Sequence, residues 1–303
     1  MIINGKVIFS FADVLEIPLA LNIGKIDSKI ENFWLHKASK SGHLFKKAIY
    51  YTLAKFLDKG KDKTFMYTFD SCVRYSETDE EGKLSITGII NYLQDCSTFQ
   101  SESLGLGVEY LKNHNRAWWL SSWQIIIDRY PRLGEKIVIG TWPYDFKGIY
   151  GYRNFMIQDM SGNYLVRANS IWFFFDTAAG RPVRVTEEDV RGYGDLHGKR
   201  LNMDYAPRRI EIPQTFVNGN SVQVCKYHID TNHHVNNAQY VEIARECLPN
   251  DFKIGKMRIE YRKAAVLGNV MMPRISETED GYVVSLWGED DVFAVVWFGM
   301  QKG

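Results

Sequence analysis

The sequence predicts an α+β fold in which one strand, one long helix and four antiparallel strands occur twice. Three observations lead there. First, runs of aromatic and β-branched residues recur beyond Met66, among them Trp118-Trp119 and Trp172-Phe173-Phe174-Phe175. Such side chains suit a pleated, half-buried surface. Second, turn signals divide the runs: Pro131-Arg-Leu-Gly134, Ser161-Gly162-Asn163 and Glu279-Asp-Gly281. Third, the chain repeats itself weakly. Aligning Asp79 with Asp230 sets Lys83 against His234 and Leu84 against Val235, an offset of 151 residues, about the size of one domain.

Taken in order, residues 1–65 read as an N-terminal extension of uncertain order. His43 to Leu57 could form a basic amphipathic helix with Leu44, Ala48, Tyr51 and Ala54 on one stripe. Lys59-Gly-Lys-Asp-Lys63 reads as a linker, and Met66 as the start of a shorter native protein. The first half, 66–190, opens on a strand and continues into a helix over Ser85–Ser103, with Ile86, Ile89, Ile90 and Leu93 at helical spacing. Strands follow at Ala117–Asp128, Lys136–Trp142, Tyr150–Gln158 and Tyr164–Phe175. The polar stretch from Glu187 to Pro213 supplies a connector, bounded at 191–213. The second half, 214–303, repeats the order with strands at Lys256–Arg262, Asn269–Glu277, Gly281–Trp287 and Val292–Met300.

Composition narrows the function. Across 303 residues, 45% hydrophobic and 24% charged are ordinary for a soluble protein. The formal net charge of +1 hides an asymmetry: residues 1–65 hold 11 Lys and 6 acidic residues, leaving 26 basic and 30 acidic residues beyond. A mildly acidic body is a poor nucleic-acid binder. No apolar run is long enough to span a bilayer, so no stable membrane insertion is expected. Four scattered cysteines, Cys72, Cys96, Cys225 and Cys247, form no CxxC and read as reduced thiols of a cytoplasmic protein.

The most informative segment is Lys226 to Tyr240, which sets Asp230, Asn232 and His234 at alternate positions before a helix-like run. If the backbone is extended there, a carboxylate, an amide and an imidazole share one face. Asn236 and Asn237 then cap a helix whose unpaired N–H groups would receive an oxyanion. A general base, orienting groups and oxyanion donors converging this closely outline a hydrolytic site. A plain polar turn with a helix cap is the competing interpretation. A zinc site on His233 and His234 is disfavoured: adjacent residues point to opposite faces of a strand, and no HExxH accompanies them.

Asp230-x-Asn232-x-His234-Val-Asn-Asn237, Tyr75-Ser-Glu-Thr-Asp79-x-x-Gly82-x-Leu84 and Glu260-Tyr-Arg262 together resemble the acyl-ACP thioesterases, bacterial type. Tyr130-Pro-x-x-Gly-Glu135 and Arg181-Pro-Val-Arg184 add to the likeness, which runs from Met66 to Gly303. The resemblance implies a double hotdog: two antiparallel sheets side by side, each wrapped around a long central helix. It implies hydrolysis of fatty acyl-ACP to free fatty acid in fatty acid biosynthesis, without metal or organic cofactor. It also carries Asp230, Asn232 and His234 over as active-site residues. Plant members place an acidic residue and a cysteine shortly after the Glu-Tyr-Arg segment, where this chain has Ala264-Ala265. A thiol mechanism at that position is therefore untenable.

The expected chemistry is attack of water on the thioester carbonyl. His234 or Asp230 would remove the proton, Asn232 would hold water or carbonyl, and N–H groups near Asn236 would bind the oxyanion. Glu242 is a further candidate base, though a solvated helix glutamate is the simpler interpretation. With Lys83 in place of the imidazole, the first half should have lost chemistry and be free to line an acyl tunnel with Ile90, Leu93 and Trp119. Lys199-Arg200, Arg208-Arg209 and Arg262-Lys263 are candidates for docking an acidic carrier protein. The same reading allows a homodimer. An acyl-CoA thioesterase and a non-catalytic acyl-binding module are the alternatives.

Overall fold

Every long strand expected from the sequence forms, and each is held by a ladder to its neighbours. The computed structural model describes residues 66–193 and 200–301, together with the backbone of 2–3 and 6–7. Ile2–Ile3 pairs antiparallel with Lys6–Val7 in the unit spanning Met1–Thr64. The amphipathic helix expected over His43 to Leu57 and the linker after it lie outside the described residues.

In the unit from Phe65 onward, β1 (Tyr67–Cys72) leads into α1 (Ile86–Ser103). The strands β2 (Arg116–Ile127), β3 (Lys136–Lys147), β4 (Tyr150–Asp159) and β5 (Tyr164–Asp176) follow. The second half repeats this with β6 (Val222–Gln223), α2 (Asn237–Arg245), β7 (Ile254–Tyr261), β8 (Val270–Thr278), β9 (Gly281–Trp287) and β10 (Val292–Met300). The first half is ordered β1-β3-β4-β5-β2 and the second β6-β8-β9-β10-β7, so the strand order is the same in both.

The ladder does not stop between the halves. β7 pairs antiparallel with β2, from Lys256 opposite Ile126 to Glu260 opposite Ser122, and the two sets of strands form one continuous antiparallel sheet. This corrects the expectation of two sheets side by side. Left unpaired, β2 and β7 would each present a row of open N–H and C=O groups, and joining them removes both edges.

The helices differ more than the repeat suggests. α1 runs 18 residues, capped by Ser85, whose Oγ accepts the Gly88 N–H at 3.0 Å. Its buried face carries Ile86, Ile89, Ile90 and Leu93, at the spacing of one helical stripe. α2 runs only 9 residues before the turn at Leu248-Pro249. The residue before a proline is disfavoured in helical backbone, so the second helix is not long. The two helices lie antiparallel: Thr87 Oγ1 donates to Glu242 Oε2 at 3.1 Å, and Asn237 Nδ2 donates to Gln94 Oε1 at 3.1 Å. Beneath them one apolar core takes in residues of both halves, from Ile89 and Leu93 to Val241 and Phe298.

The connector is strapped across the seam of the sheet. Gln124 and Arg258, partners in the β2–β7 ladder, both grip it. Gln124 binds the Asp204 carbonyl and the Ala206 N–H, and Arg258 donates to the carbonyls of Pro207 and Arg209. Buried Glu260 accepts the Ile210 N–H at 3.0 Å.

Candidate active site

Asp230, Asn232 and His234 sit on one tight loop rather than along a strand. An antiparallel bridge between Ile229 and Val235 closes it, and the Asp230 N–H donates to the His234 carbonyl at 2.8 Å. His233 takes the left-handed conformation, φ 61°, to make the turn. The alternation argument therefore fails, because the backbone reverses within the motif. The three residues share one closed turn.

The Asp230 carboxylate is part of the scaffold. Its Oδ1 accepts the N–H of Asn232 at 2.8 Å and faces that of His234 at 3.4 Å, an arrangement by which Asp folds the backbone back on itself. Asn232 is exposed, and its amide makes no hydrogen bond among the described residues. His234 is half-buried, with its ring edge-on to Trp119 of β2 at a centroid distance of 6.1 Å. Trp119 in turn stacks on Phe175 at 3.8 Å. A residue expected in the acyl pocket thus stands beside the candidate base, an arrangement that only the pairing of the halves produces.

Asn236 caps α2, its side chain accepting the Ala238 N–H at 2.9 Å. Its own N–H donates to the His228 carbonyl at 2.8 Å, and the Gln239 N–H donates to the Asn236 carbonyl at 2.9 Å. The N–H groups of Asn236, Ala238 and Gln239 are thus committed within the chain. Asn237 reaches the other way, to Gln94 of α1, while its carbonyl accepts the Tyr261 hydroxyl at 2.9 Å.

Beneath the loop, the Ala265 carbonyl accepts the Val235 N–H at 2.9 Å, and the Ala265 N–H donates to the Tyr240 hydroxyl at 2.8 Å. The Ala264-Ala265 segment therefore abuts the residue following His234 and offers no thiol there. Elsewhere, burial pushes the Cys96 thiol up to about 12 and raises that of Cys247. Glu242 pairs with Arg245 at 2.6 Å and accepts the Thr87 hydroxyl at 3.1 Å.

His228 lies just upstream of the Asp230–His234 motif and carries no role in it. It is buried, its Nδ1 accepts the Cys225 N–H at 2.9 Å, and burial lowers its pKa. Its neutral ring and its carbonyl brace the loop from behind. A histidine one turn upstream of the motif was the only signal.

Ile90 and Leu93 are completely buried in packed core, so no open tunnel runs along them. Neither of the two described cavities reaches them, Trp119 or His234. One, of about 800 Å³, lies among Tyr144, Tyr150, Tyr205, Arg200 and Arg208. The other, of about 250 Å³, is walled by Trp118, Phe174, Leu106, Leu111 and Tyr193.

The basic candidates are largely engaged. Arg200 lies over the Tyr205 ring at 4.0 Å, and Arg208 bonds Ser121. Arg262 pairs with Glu260, and Lys263 with Asp291. Arg209 is exposed, and Lys199 lies outside the described residues.

Sequence profiles agree with this picture. That of the acyl-ACP thioesterase N-terminal domain matches residues 62–193, and that of the C-terminal domain residues 213–287. A chloroplastic palmitoyl-acyl carrier protein thioesterase of Gossypium hirsutum is 27% identical over 212 residues, 63% of this chain and 50% of its own length. A chloroplastic dodecanoyl-[acyl-carrier-protein] hydrolase of Cinnamomum camphora is 25% identical over 227 residues, 68% of this chain and 58% of its own. The chain spans about half the length of the curated relatives it matches.

Among solved structures, an acyl-ACP thioesterase from Bacteroides thetaiotaomicron superposes with a TM-score of 0.71 at 20% identity, covering 79% of this chain and 99% of that one. The 12:0-ACP thioesterase of Umbellularia californica gives 0.70 at 16%, covering 79% and 98%. At these identities the likeness establishes the fold. With both domains matched in order on the halves just described, this chain belongs to the acyl-ACP thioesterase family.

Proposed function

We propose that this chain hydrolyses fatty acyl-ACP to a free fatty acid and ACP in fatty acid biosynthesis, and that its two halves are tandem hotdogs, 66–190 and 214–303, joined by a connector at 191–213. The repeated strand order and the antiparallel helices support that architecture.

One observation carries the assignment of chemistry. The loop holding His234 has a counterpart in the first half with the same hydrogen bonds, in which Asp79 does for Lys83 what Asp230 does for His234. The aspartate is present whether or not an imidazole is, so its primary work is to fold the loop. The imidazole belongs to the second copy alone. His234 is therefore the base that takes a proton from water as it attacks the thioester carbonyl. Asn232, whose amide is uncommitted, orients that water or polarises the carbonyl. Trp119 shields one edge of the ring, and a drier site strengthens each polar interaction within it.

The test is release of free fatty acid from acyl-ACP by the full chain and by its His234→Ala variant. Loss of the general base should lower kcat by roughly 10²-fold with folding intact. An unchanged rate removes His234 from the mechanism. Parallel assays on acyl-CoA separate the nearest alternative, since faster turnover of the CoA thioester would reassign the substrate. Bound acyl chain without product would make the protein a binding module.

A further inference from the structure

The sheet of the first half is built out beyond that of the second. Its strands β3, β4 and β5 run 12, 10 and 13 residues, where their counterparts β8, β9 and β10 run 9, 7 and 9. In the longer ladders Lys147 stands opposite Tyr150, Tyr150 opposite Phe173, and Phe173 opposite Trp119. Residues directly opposite in an antiparallel pair share one face of the sheet, so these side chains form a single row across β3, β4, β5 and β2. Trp119, Phe173 and Tyr150 are half-buried, and Lys147 is exposed.

The row joins the candidate site to a cavity. At one end the His234 ring stands edge-on to Trp119, which Phe173 meets edge-on at 5.7 Å. At the other end lies the cavity of about 800 Å³, which Tyr150 and Lys147 help to wall. The cavity stops at Tyr150, and the row carries on. Neighbouring strands lie about 4.8 Å apart, which sets Tyr150 about 10 Å from Trp119, with His234 a further 6.1 Å on.

The cavity is cationic. Arg200, Arg208 and Lys147 line it against one carboxylate, that of exposed Asp145. Arg200 lies over the rings of Tyr205 and Tyr144. Arg208 lies 5.9 Å from the centre of the Tyr150 ring and donates to the Ser121 hydroxyl at 3.1 Å. All of these partners are neutral, and among the described residues none of the three cations is in an ion pair. A guanidinium resting on a ring face keeps the N–H groups of its edge for an anion.

A ligand that spans both ends needs a thioester carbonyl, a slender linker and an anion. We propose that the cavity holds the phosphate of the phosphopantetheine arm on which a carrier protein bears its acyl chain. Arg208 and Arg200 grip that phosphate, and the arm lies over Tyr150, Phe173 and Trp119 to bring its thioester to His234. This rests on the thioesterase reading above. From phosphorus to sulfur the arm is as long as about four residues of extended chain, roughly 14 Å, which matches the span of the row. Phosphate oxygens take paired guanidinium N–H groups well, and the part-apolar arm finds rings to cover along its path.

The experiment titrates the full chain calorimetrically with amide analogues of decanoyl-phosphopantetheine and decanoyl-pantetheine, which differ only in the phosphate. The phosphate-bearing analogue should bind about tenfold more tightly, the usual worth of a charge-assisted hydrogen bond. Arg208→Gln should bring it down to the level of the other, and Phe173→Ala should weaken both. Lys147→Gln, at an exposed position, gives a milder loss of the same preference if the connector does not tolerate Arg208→Gln. Equal affinities, no binding of either analogue, a phosphate preference unmoved by these substitutions, or affinities indifferent to Phe173→Ala would each overturn the proposal. The same amide-linked chain on carrier protein and on CoA separates the two sources of the arm. Arg208→Gln should weaken the carrier form about tenfold, and a loss confined to the CoA form would overturn the assignment to a carrier. Acid release from decanoyl-ACP, measured separately, reports on the thioesterase reading, so the two can fail independently.

Discussion

The loops at 74–88 and 225–239 share a hydrogen-bond pattern and almost no side chains. In each, a single 3-10 turn, Tyr75–Glu77 or Lys226–His228, leads into a closed bend and then a capped helix. Asp79 and Asp230 each receive the N–H groups two and four residues ahead. The Ser85 N–H meets the Glu77 carbonyl at 2.8 Å, and the Asn236 N–H meets the His228 carbonyl at the same distance. Leu84 is held by the Pro131 carbonyl as Val235 is held by that of Ala265. Even the left-handed residue recurs, as Gly82 at φ 69° and His233 at φ 61°. The backbone pattern belongs to the fold, then, and what differs on it belongs to function: Lys83, paired with Glu81, against His234, set against Trp119.

The largest test of this contrast is catalytic. His234→Ala should reduce kcat by roughly 10²-fold, whereas Lys83→Ala should leave it unchanged, as fatty acid release under single-turnover conditions will report. Comparable losses in both would mean that the first loop has kept a role in the reaction.

Next comes stability. Asp79→Ala and Asp230→Ala each strip two backbone N–H groups of their acceptor and should cost about 1–3 kcal/mol in chemical denaturation. If the aspartate only folds the loop, Asp230→Asn, which retains an acceptor oxygen, should keep most of the stability and much of the activity. A collapse of kcat in Asp230→Asn would reassign the base.

A smaller effect separates the left-handed residues. Gly82→Ala meets no neighbouring atom, yet its positive φ should cost about 1 kcal/mol, while His233→Gly should be neutral or stabilising. Destabilisation by His233→Gly would show that its side chain holds the loop in some other way.

The smallest difference is in acid response. Burial lowers the pKa of His228 from its ordinary value of 6.5. At Glu77, the equivalent position, burial pushes the carboxyl up, but hydrogen bonds from Arg74 and Tyr92 outweigh it and hold the group below its ordinary 4.5. Both groups are depressed in the fold, so the unfolded chain binds the proton more readily. The stability each contributes is complete above its ordinary value and is lost as pH falls through the depressed one. The second loop should therefore weaken first on acidification. Between about pH 7 and pH 5, His228→Gln should flatten the fall in thermal midpoint relative to wild type, and an unaltered slope would count against this assignment.

The sequence by itself determined what depends on near neighbours in the chain. Aromatic and β-branched runs and the turns between them located the strands to within two residues, except that β3 runs five residues past its expected end; Asn236 stood ready as a cap, and the 151-residue offset from Asp79 to Asp230 marked both loops, because these signals depend on residues a few positions apart. The shortness of α2 was written at Pro249 but masked by the expectation of symmetry. Tertiary structure decided the rest. It joined two sheets into one through β2 and β7, curled the motif into a turn where alternation implied a strand, and carried Trp119 across the seam to His234. Each of these turns on contacts between residues far apart in the chain, and local patterning carries no record of which distant surface a side chain will meet.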